Sequence, residues 1–193
     1  MSAAAAVTPV EVEVTFLRMD RPPADPAPAL PEGVRVERVR RCTTAFYRFL
    51  YDTVGQDYLW WFRRTVSDTH LGAILASPQV SIHVLYNDGE PAGFYELERR
   101  SNRSTNISYF GLLPHAVGQR MGRAFLRHAV DLCWAEGAAA VTVNTCTADH
   151  PRALPNYLAS GFTVYRRVRE EWPVPGNLGL KLPSQPARTS PAR

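Results

Sequence analysis

Residues 109–123 read YFGLLPHAVGQRMGR and are the most informative stretch of the chain. They predict a strand that ends at Pro114 and a helix from Val117 to about Glu136. A turn that contains Gly118 and Gly122 opens that helix. Backbone N–H groups at a helix start have no partner within the helix, and the helix dipole adds positive potential there. Glycines let an anion approach such a backbone closely. The stretch therefore predicts an anion-binding turn.

Three arginines follow this turn. Arg120, Arg123 and Arg127 are spaced i, i+3 and i+7, so on a helix they would form one basic ridge beside the anion site. The turn is not a P-loop, because no Gly-Lys-Ser/Thr follows, and it lacks the glycine triplet of a dinucleotide-binding fingerprint. Spacing alone leaves open an ordinary strand–helix joint whose glycines ease packing.

On either side of this stretch, strand and helix patterns alternate. An Asn87-Asp88-Gly89 turn between two apolar runs predicts a hairpin. Further strands are predicted over residues 34–39, 80–86, 92–97, 106–113, 140–145 and 162–169, and further helices over residues 44–55, 58–66, 71–76 and 151–160. This order predicts an α/β fold with a central mixed, mostly antiparallel sheet flanked by helices.

The two ends of the chain differ from its middle. Residues 10–16 alternate as a strand does, and the dense prolines of residues 20–33 predict an extended arm. We therefore expect an N-terminal strand and arm over residues 1–33, one domain over 34–175 and a disordered basic tail over 176–193. Whether the first strand pairs with its own sheet or with a second subunit is left open.

Composition excludes several classes of protein. The 193 residues are 45% hydrophobic with a net charge of +4, which is typical of a globular domain. Part of the positive charge lies in the tail after Lys181, so composition does not support a nucleic-acid binder. No run approaches the ~20 apolar residues that span a bilayer. Three scattered cysteines and a start without signal-peptide features predict a cytoplasmic protein without a disulfide framework.

A second stretch, residues 150–162, reads HPRALPNYLASGF. Together with residues 109–123 it resembles the Gcn5-related N-acetyltransferase (GNAT) superfamily, in which a Gln/Arg-x-x-Gly-x-Gly/Ala turn opens a helix. A second family helix has the form Asn-x-x-Ala-x-x-x-Tyr-x-x-x-Gly-Phe. The residues that fall on the positions of that second helix are Ala153, Tyr157, Gly161 and Phe162, with His150 in place of the asparagine.

The first half-motif matches less closely. Gly122 stands at the last glycine of the family turn and Gly118 is an additional glycine, whereas Val117 replaces Gln/Arg and Arg120 replaces the first glycine. The resemblance implies the GNAT fold and acetyl-CoA as co-substrate. The pyrophosphate of acetyl-CoA would lie on the turn. The pantetheine arm would lie along the free edge of the strand over residues 110–113, where this strand diverges from the strand over residues 141–144. The cofactor contacts so implied are Phe110, Leu112, Leu113, Val117, Gly118, Gln119, Arg120, Met121, Gly122, Arg123 and Asn144.

The resemblance also implies catalytic roles. Tyr157 would be the general acid that protonates the leaving thiolate, and a backbone N–H near Leu112 would stabilise the oxyanion. A tyrosine near a helix end can also simply pack. For the base that accepts the amine proton we choose Glu96, with Glu98 as substitute, although a solvated strand face also explains both carboxylates. Asn106, on the neighbouring strand, stands where some relatives carry a glutamate.

Other chemistry-bearing residues receive weaker predictions. Asp149 is predicted to cap the following helix, and His150 is a candidate substrate contact. The scattered histidines predict no metal site. The large side chains over residues 58–62 cannot all face one way on a helix, so we expect part of the run to pack in the core and the rest to line a cleft, meet another protein or be covered by the N-terminal arm. An aromatic cleft wall near Glu96 and Glu98 would suit a cationic amine.

The sequence thus predicts an acetyl-CoA-dependent N-acetyltransferase that acetylates a primary amine of a small molecule or protein by direct attack. The alternative is a catalytically idle acyl-CoA-binding module with a regulatory or interaction role. We expect no metal, no nucleic-acid partner and no membrane partner, and we consider a homodimer.

Overall fold

The computed structural model describes residues 6–182. They form one seven-stranded sheet flanked by five helices, which confirms the predicted fold class. The strands are β1 (Val7–Met19), β2 (Val34–Val39), β3 (Val80–Asn87), β4 (Glu90–Arg99), β5 (Ser104–Leu112), β6 (Ala140–Cys146) and β7 (Thr163–Pro175). The helices are α1 (Thr44–Gly55), α2 (Phe62–Thr65), α3 (Asp68–Ala76), α4 (Gly122–Ala135) and α5 (Ala153–Ala159).

The strands lie in the order β2-β3-β4-β5-β6-β1-β7. Each neighbouring pair is antiparallel except β5 and β6, which are parallel. Strand β1 pairs with β6 on one side and β7 on the other, so the N-terminal strand belongs to the chain's own sheet. This settles the question that the sequence left open. The division of the chain into an arm, a domain and a tail stays a prediction.

The hairpin between β3 and β4 is confirmed. Asp88 and Gly89 have φ angles of 50° and 91°, which is the left-handed backbone that a two-residue hairpin turn requires and that an Asp-Gly pair tolerates.

Apolar side chains pack on both faces of the sheet. Alternate residues of a strand point to opposite faces, and β4 shows this directly. Tyr95 and Leu97 join the cluster formed by α4 and α5, whereas Phe94 joins the cluster around α1. A third cluster lies between β1, β7 and the segment that follows α1, with Leu59 at its centre.

Several predicted boundaries are wrong, and backbone angles explain the largest error. Helix α4 begins at Gly122 and not at Val117, because Gly118 and Arg120 have φ angles of 87° and 62°, which a right-handed helix cannot contain. Residues 114–116 form a single 3₁₀ turn instead. The helix predicted over residues 58–66 is reduced to the four residues of α2.

The predicted disordered tail lies partly outside the described residues. Within the described part, Gly176–Leu178 forms a 3₁₀ turn, and Leu180 packs against the third cluster. The Nζ atom of Lys181 lies 2.5 Å from Oδ1 of Asp57. Among residues 6–182, no helix is long and apolar enough to cross a membrane.

Candidate active site

The main feature of the sheet is a gap between β5 and β6. The two strands pair only from Ser104 to Ile107 and from Ala140 to Val143. Beyond this point β5 continues along β4, and β6 continues along β1. The edge of β5 that would otherwise meet β6 is therefore unpaired over residues 108–112, at the place where the sequence predicts the pantetheine arm.

A cavity of about 1140 Å³ occupies this gap and extends over the adjoining helix ends. It brings together most of the cofactor contacts predicted from the sequence. The predicted residues that line it are Phe110, Leu112, Val117, Gly118, Arg120, Gly122, Arg123, Asn144 and Tyr157.

Four predicted residues do not line the cavity. Leu113 and Met121 are buried in the apolar clusters, and the Leu113 N–H donates to the carbonyl oxygen of Ala92. Gln119 is exposed and donates to the carbonyl oxygen of His115. Glu96, the fourth, is buried beneath the cavity wall. Arg127, the third arginine of the predicted ridge, is held by Asp131 at 2.7 Å.

The turn before α4 is suited to an anion. The N–H groups of Val117 and Gln119 donate to carbonyl oxygens of the preceding turn. Those of Gly118 and Arg120 have no backbone partner of this kind, and the first N–H groups of α4 have none within the helix. Arg120 and Arg123 line the cavity here and form no ion pair with another described residue. The turn therefore offers unpaired N–H groups and two free positive charges.

Tyr157 meets the geometric requirement for a general acid. Helix α5 buries its ring against Phe162, with 6% of the residue exposed, and its side chain lines the cavity. The hydroxyl has no hydrogen-bond partner among the described residues. Burial raises the pKa of Tyr157, and the negative charge of Asp149 raises it further. The hydroxyl consequently stays protonated at neutral pH and can donate a proton.

Glu96 is placed differently from the sequence prediction. Its side chain is 1% exposed, with Oε1 2.7 Å from Nη2 of Arg63 and Oε2 accepting a hydrogen bond from the Tyr47 hydroxyl at 2.5 Å. Burial raises the pKa of Glu96, and Arg63 opposes this shift. Burial alone would lower the pKa of Arg63, but the charge of Glu96 raises it. Glu96 is thus a buried partner of Arg63, and Arg63 is the residue that lines the cavity.

Glu98 lies two residues further along β4 and lines the cavity itself. Its side chain is 46% exposed, and its ion pair with Arg100 is loose, at 3.8 Å. Glu98 is opposite Asn106 in the β4–β5 ladder. The Asn106 side chain accepts a hydrogen bond from Thr142 and donates one to Ser108. The floor of the cavity is therefore polar, with Glu98 as its accessible carboxylate.

The predicted aromatic wall is present. Trp60 packs against Tyr51 and Tyr109, with ring centroids 5.2 and 5.1 Å apart. Gly55 permits this arrangement, since a Cβ atom there would lie 2.4 Å from Cβ of Trp60. Tyr58, Leu59, Trp61 and Phe62 also line the cavity, and Leu59 and Trp61 pack in the third apolar cluster as well. The run lies in irregular backbone up to Trp61 and enters α2 only at Phe62, so its side chains serve both the cavity and the core.

Asp149 does not cap α5, whose N-terminal flanking residue is Arg152. Its Oδ2 accepts hydrogen bonds from the Thr145 hydroxyl at 2.8 Å and the Cys146 N–H at 2.9 Å. Its Oδ1 accepts one from Nε1 of Trp60 at 3.3 Å. Asp149 thus joins the end of β6 to the aromatic wall. Sequence reasoning missed this role and that of Arg63, because both depend on contacts between residues far apart in the chain.

No group of three or more His, Cys, Asp and Glu residues that could hold a metal ion occurs within residues 6–182. The cysteines at 42, 133 and 146 are unpaired. Burial raises the pKa of the Cys146 thiol, at the cavity wall, to about 12, so this side chain is a poor nucleophile at neutral pH.

Comparisons with known proteins bear on the family and the fold of the chain. The model of the acetyltransferase (GNAT) family matches residues 38–162. A GCN5-related N-acetyltransferase from Sphaerobacter thermophilus is 20% identical with a TM-score of 0.57, over 86% of this chain and 53% of that chain. One from Kribbella flavida is 17% identical with a TM-score of 0.58, over 89% and 61%.

An aminoglycoside acetyltransferase from an uncultured soil metagenomic sample is 13% identical with a TM-score of 0.54, over 67% of this chain and 88% of that one. Identities this low show a shared fold. The chain spans little more than half the length of the first two structures, at 53% and 61%. No curated protein matches it.

Proposed function

Since this chain belongs to the acetyltransferase (GNAT) family, we propose that it transfers an acetyl group from acetyl-CoA to a primary amine of a small molecule or a protein. The observation that carries the proposal is the unpaired edge of β5 over residues 108–112, which faces the cavity and leads to the turn before α4. An extended pantetheine arm can pair with such an edge as an added strand does. The pyrophosphate would bind the free N–H groups of the turn together with Arg120 and Arg123.

The chemistry needs no covalent enzyme intermediate. The neutral amine attacks the thioester carbonyl carbon, and a C–N bond forms as the carbonyl oxygen takes up negative charge. The C–S bond then breaks, and the leaving thiolate receives a proton from the Tyr157 hydroxyl. A backbone N–H near Leu112 would donate to the oxyanion, and one such donor contributes about 3–4 kcal/mol.

The proton of the attacking amine goes to a carboxylate, and here the structure changes the preferred residue. Both oxygens of Glu96 are bonded below the cavity wall, whereas Glu98 lines the cavity with a carboxylate that is half exposed. We therefore assign the proton acceptor to Glu98, directly or through water. Glu96 is assigned to holding Arg63 in place.

Two measurements test the proposal. Acetyl-CoA should raise the melting temperature of the protein, and coenzyme A thiol should be released when amines from a panel are added. The Tyr157→Phe variant should lose about 10²- to 10⁴-fold in kcat while keeping its acetyl-CoA affinity, since the ring still packs. Tyr165→Phe, an exposed tyrosine of β7 away from the cavity, is the matched control. Stabilisation by acetyl-CoA without thiol release from any amine would favour the idle acyl-CoA-binding module.

The cytoplasmic location, the homodimer and the expectation of no nucleic-acid or membrane partner stay predictions. So does the assignment of each site residue until these variants are measured.

A further inference from the structure

Asp149 is a carboxylate whose charge no other described residue neutralises. Its three described hydrogen bonds come from neutral donors, namely Thr145, Cys146 N–H and Trp60. By contrast, each of the other two carboxylates near the cavity has a cationic partner: Glu96 has Arg63 at 2.7 Å, and Glu98 has Arg100 at 3.8 Å. A fixed negative charge without a counter-ion therefore lies in the cavity wall.

The three donors also fix the orientation of this carboxylate. Two of them belong to the end of β6, and the third is the indole of the aromatic wall, 89 residues away in the chain. A carboxylate has room for about four hydrogen bonds, so one acceptor position is left for a ligand. Because the protein already holds the group in place, a bound cation need not order it.

The surroundings of Asp149 suit a cation. Tyr58, Trp60, Trp61 and Trp172 line the same cavity, and aromatic side chains attract positive charge at their ring faces. Four arginines also line the cavity. Arg120 and Arg123 belong to the turn before α4, which the proposed function assigns to the phosphates of coenzyme A. Arg63 is paired with Glu96, and Arg152 flanks the start of α5 with an exposed side chain. The wall at Trp60 thus combines aromatic surface with the negative charge of Asp149.

We propose that the acceptor carries a second positively charged group besides the amine that is acetylated, and that Asp149 binds this second group. The substrate class is then a diamine or a larger polycation. This inference rests on the proposed function, because the reacting amine is the one presented to the thioester near Glu98. Asp149 recognises the other end of the molecule, so it determines specificity without itself accepting or donating the transferred protons.

A purely structural role for Asp149 predicts a different result. If Asp149 only tied Trp60 to β6, its replacement would weaken all amine acceptors by the same factor. The ratio of activities toward a diamine and its matching monoamine separates the two roles. Misplacement of the wall and a changed pKa of Tyr157 affect both substrates alike, whereas loss of the charge that binds the second cation changes the ratio.

The experiment compares alkyl diamines of three to eight carbons with monoamines of the same length, using thiol release by the wild type, Asp149→Asn and Asp57→Asn. Asp57→Asn removes an equal charge from the neighbouring segment, where Asp57 is outside the cavity and paired with Lys181. We expect kcat/KM to favour the best diamine by about tenfold or more in the wild type and in Asp57→Asn. In Asp149→Asn this preference should fall close to one, while any effect that comes from a displaced Trp60 or from the changed pKa of Tyr157 should alter diamine and monoamine activity by the same factor.

Trp60 provides a readout that does not need turnover. Diamine binding beside its indole should change the tryptophan fluorescence, and the Asp149→Asn variant should need about tenfold more diamine for the same change. Monoamine turnover without any diamine preference, or the same preference in Asp149→Asn, would overturn the inference and leave the proposed function standing. Diamine binding that depends on Asp149 without turnover of any amine would support the cation site and refute the proposed function.

Discussion

Glu96 and Glu98 show how far environment separates two identical side chains. They lie two residues apart on β4, so the period of a strand places both on one face. Arg63 and Tyr47 form hydrogen bonds with Glu96 and cover it, whereas Glu98 lines the cavity. The sequence predicted that one of the two carboxylates serves the site and chose Glu96, with Glu98 as substitute. Which one is buried depends on where the segment after α1 lies, and strand periodicity contains no information on that.

The buried ion pair predicts a large effect on stability. Glu96→Gln removes the charge that Arg63 faces in a place with little access to water, and breaking one partner of a buried pair costs about 3–5 kcal/mol. Glu98→Gln removes an exposed carboxylate from a loose pair, worth at most about 1 kcal/mol. Urea unfolding of the two variants and the wild type measures the difference. Equal losses in both variants would contradict the burial of Glu96 described above.

At the scale of elements, the turn before α4 shows what could be predicted and what could not. Its position after β5 and its glycines could be predicted, and Arg120 and Arg123 line the cavity. The single helical ridge is wrong, because Arg120 lies in the turn before α4 and Arg127 is paired with Asp131. The start of α4 was misplaced by five residues, because apolar spacing continues through Val117 and Met121 as if the helix did. Positive φ at Arg120 is not visible in a sequence, since arginine gives no signal for the left-handed region.

Arg120 therefore carries backbone strain at the position where the related family has a glycine. In a left-handed backbone a residue with a Cβ atom costs about 1–2 kcal/mol, and glycine avoids this cost but loses more entropy on folding. We expect Arg120→Gly to raise the free energy of unfolding by about 0.5–1 kcal/mol. The same change removes a positive charge from the phosphate site, so acetyl-CoA should bind more weakly, and most clearly at low salt.

Gly118→Ala is the matched control for Arg120→Gly. A Cβ atom at Gly118 would meet no other atom within 4 Å, so the variant adds backbone strain alone. It should lower the free energy of unfolding by about 1 kcal/mol. Denaturant unfolding and calorimetric titration with acetyl-CoA measure both changes. A destabilised Arg120→Gly protein would show that interactions of the arginine side chain outweigh the strain of its backbone.

At the scale of the whole molecule, β1 pairs with the strand that borders the cavity. It pairs with β6 from Met19 opposite Val141 to Val14 opposite Cys146, including the end of β6 that has left β5. Its other edge pairs with β7. The sequence predicted a strand here as part of an N-terminal arm. Its alternation of apolar and polar residues does not indicate which strands pair with it. Its insertion between β6 and β7 gives the diverging end of β6 a partner on the side away from the gap, whereas the edge that faces β5 is unpaired over residues 144–146.

This arrangement makes the N-terminal strand part of the core, and two positions on β1 test that. Leu17 is fully buried, opposite Val143 of β6 and Val164 of β7. Leu17→Ala should lower the free energy of unfolding by about 2–5 kcal/mol, because burial is lost and a cavity remains. Val7, on the same strand, is 55% exposed. Val7→Ala should change the free energy of unfolding by no more than about 0.5 kcal/mol. Denaturant unfolding of both variants measures these effects. Similar small losses of unfolding free energy in both variants would show that β1 is not part of the core. The separation of β6 from β5 would then not depend on β1.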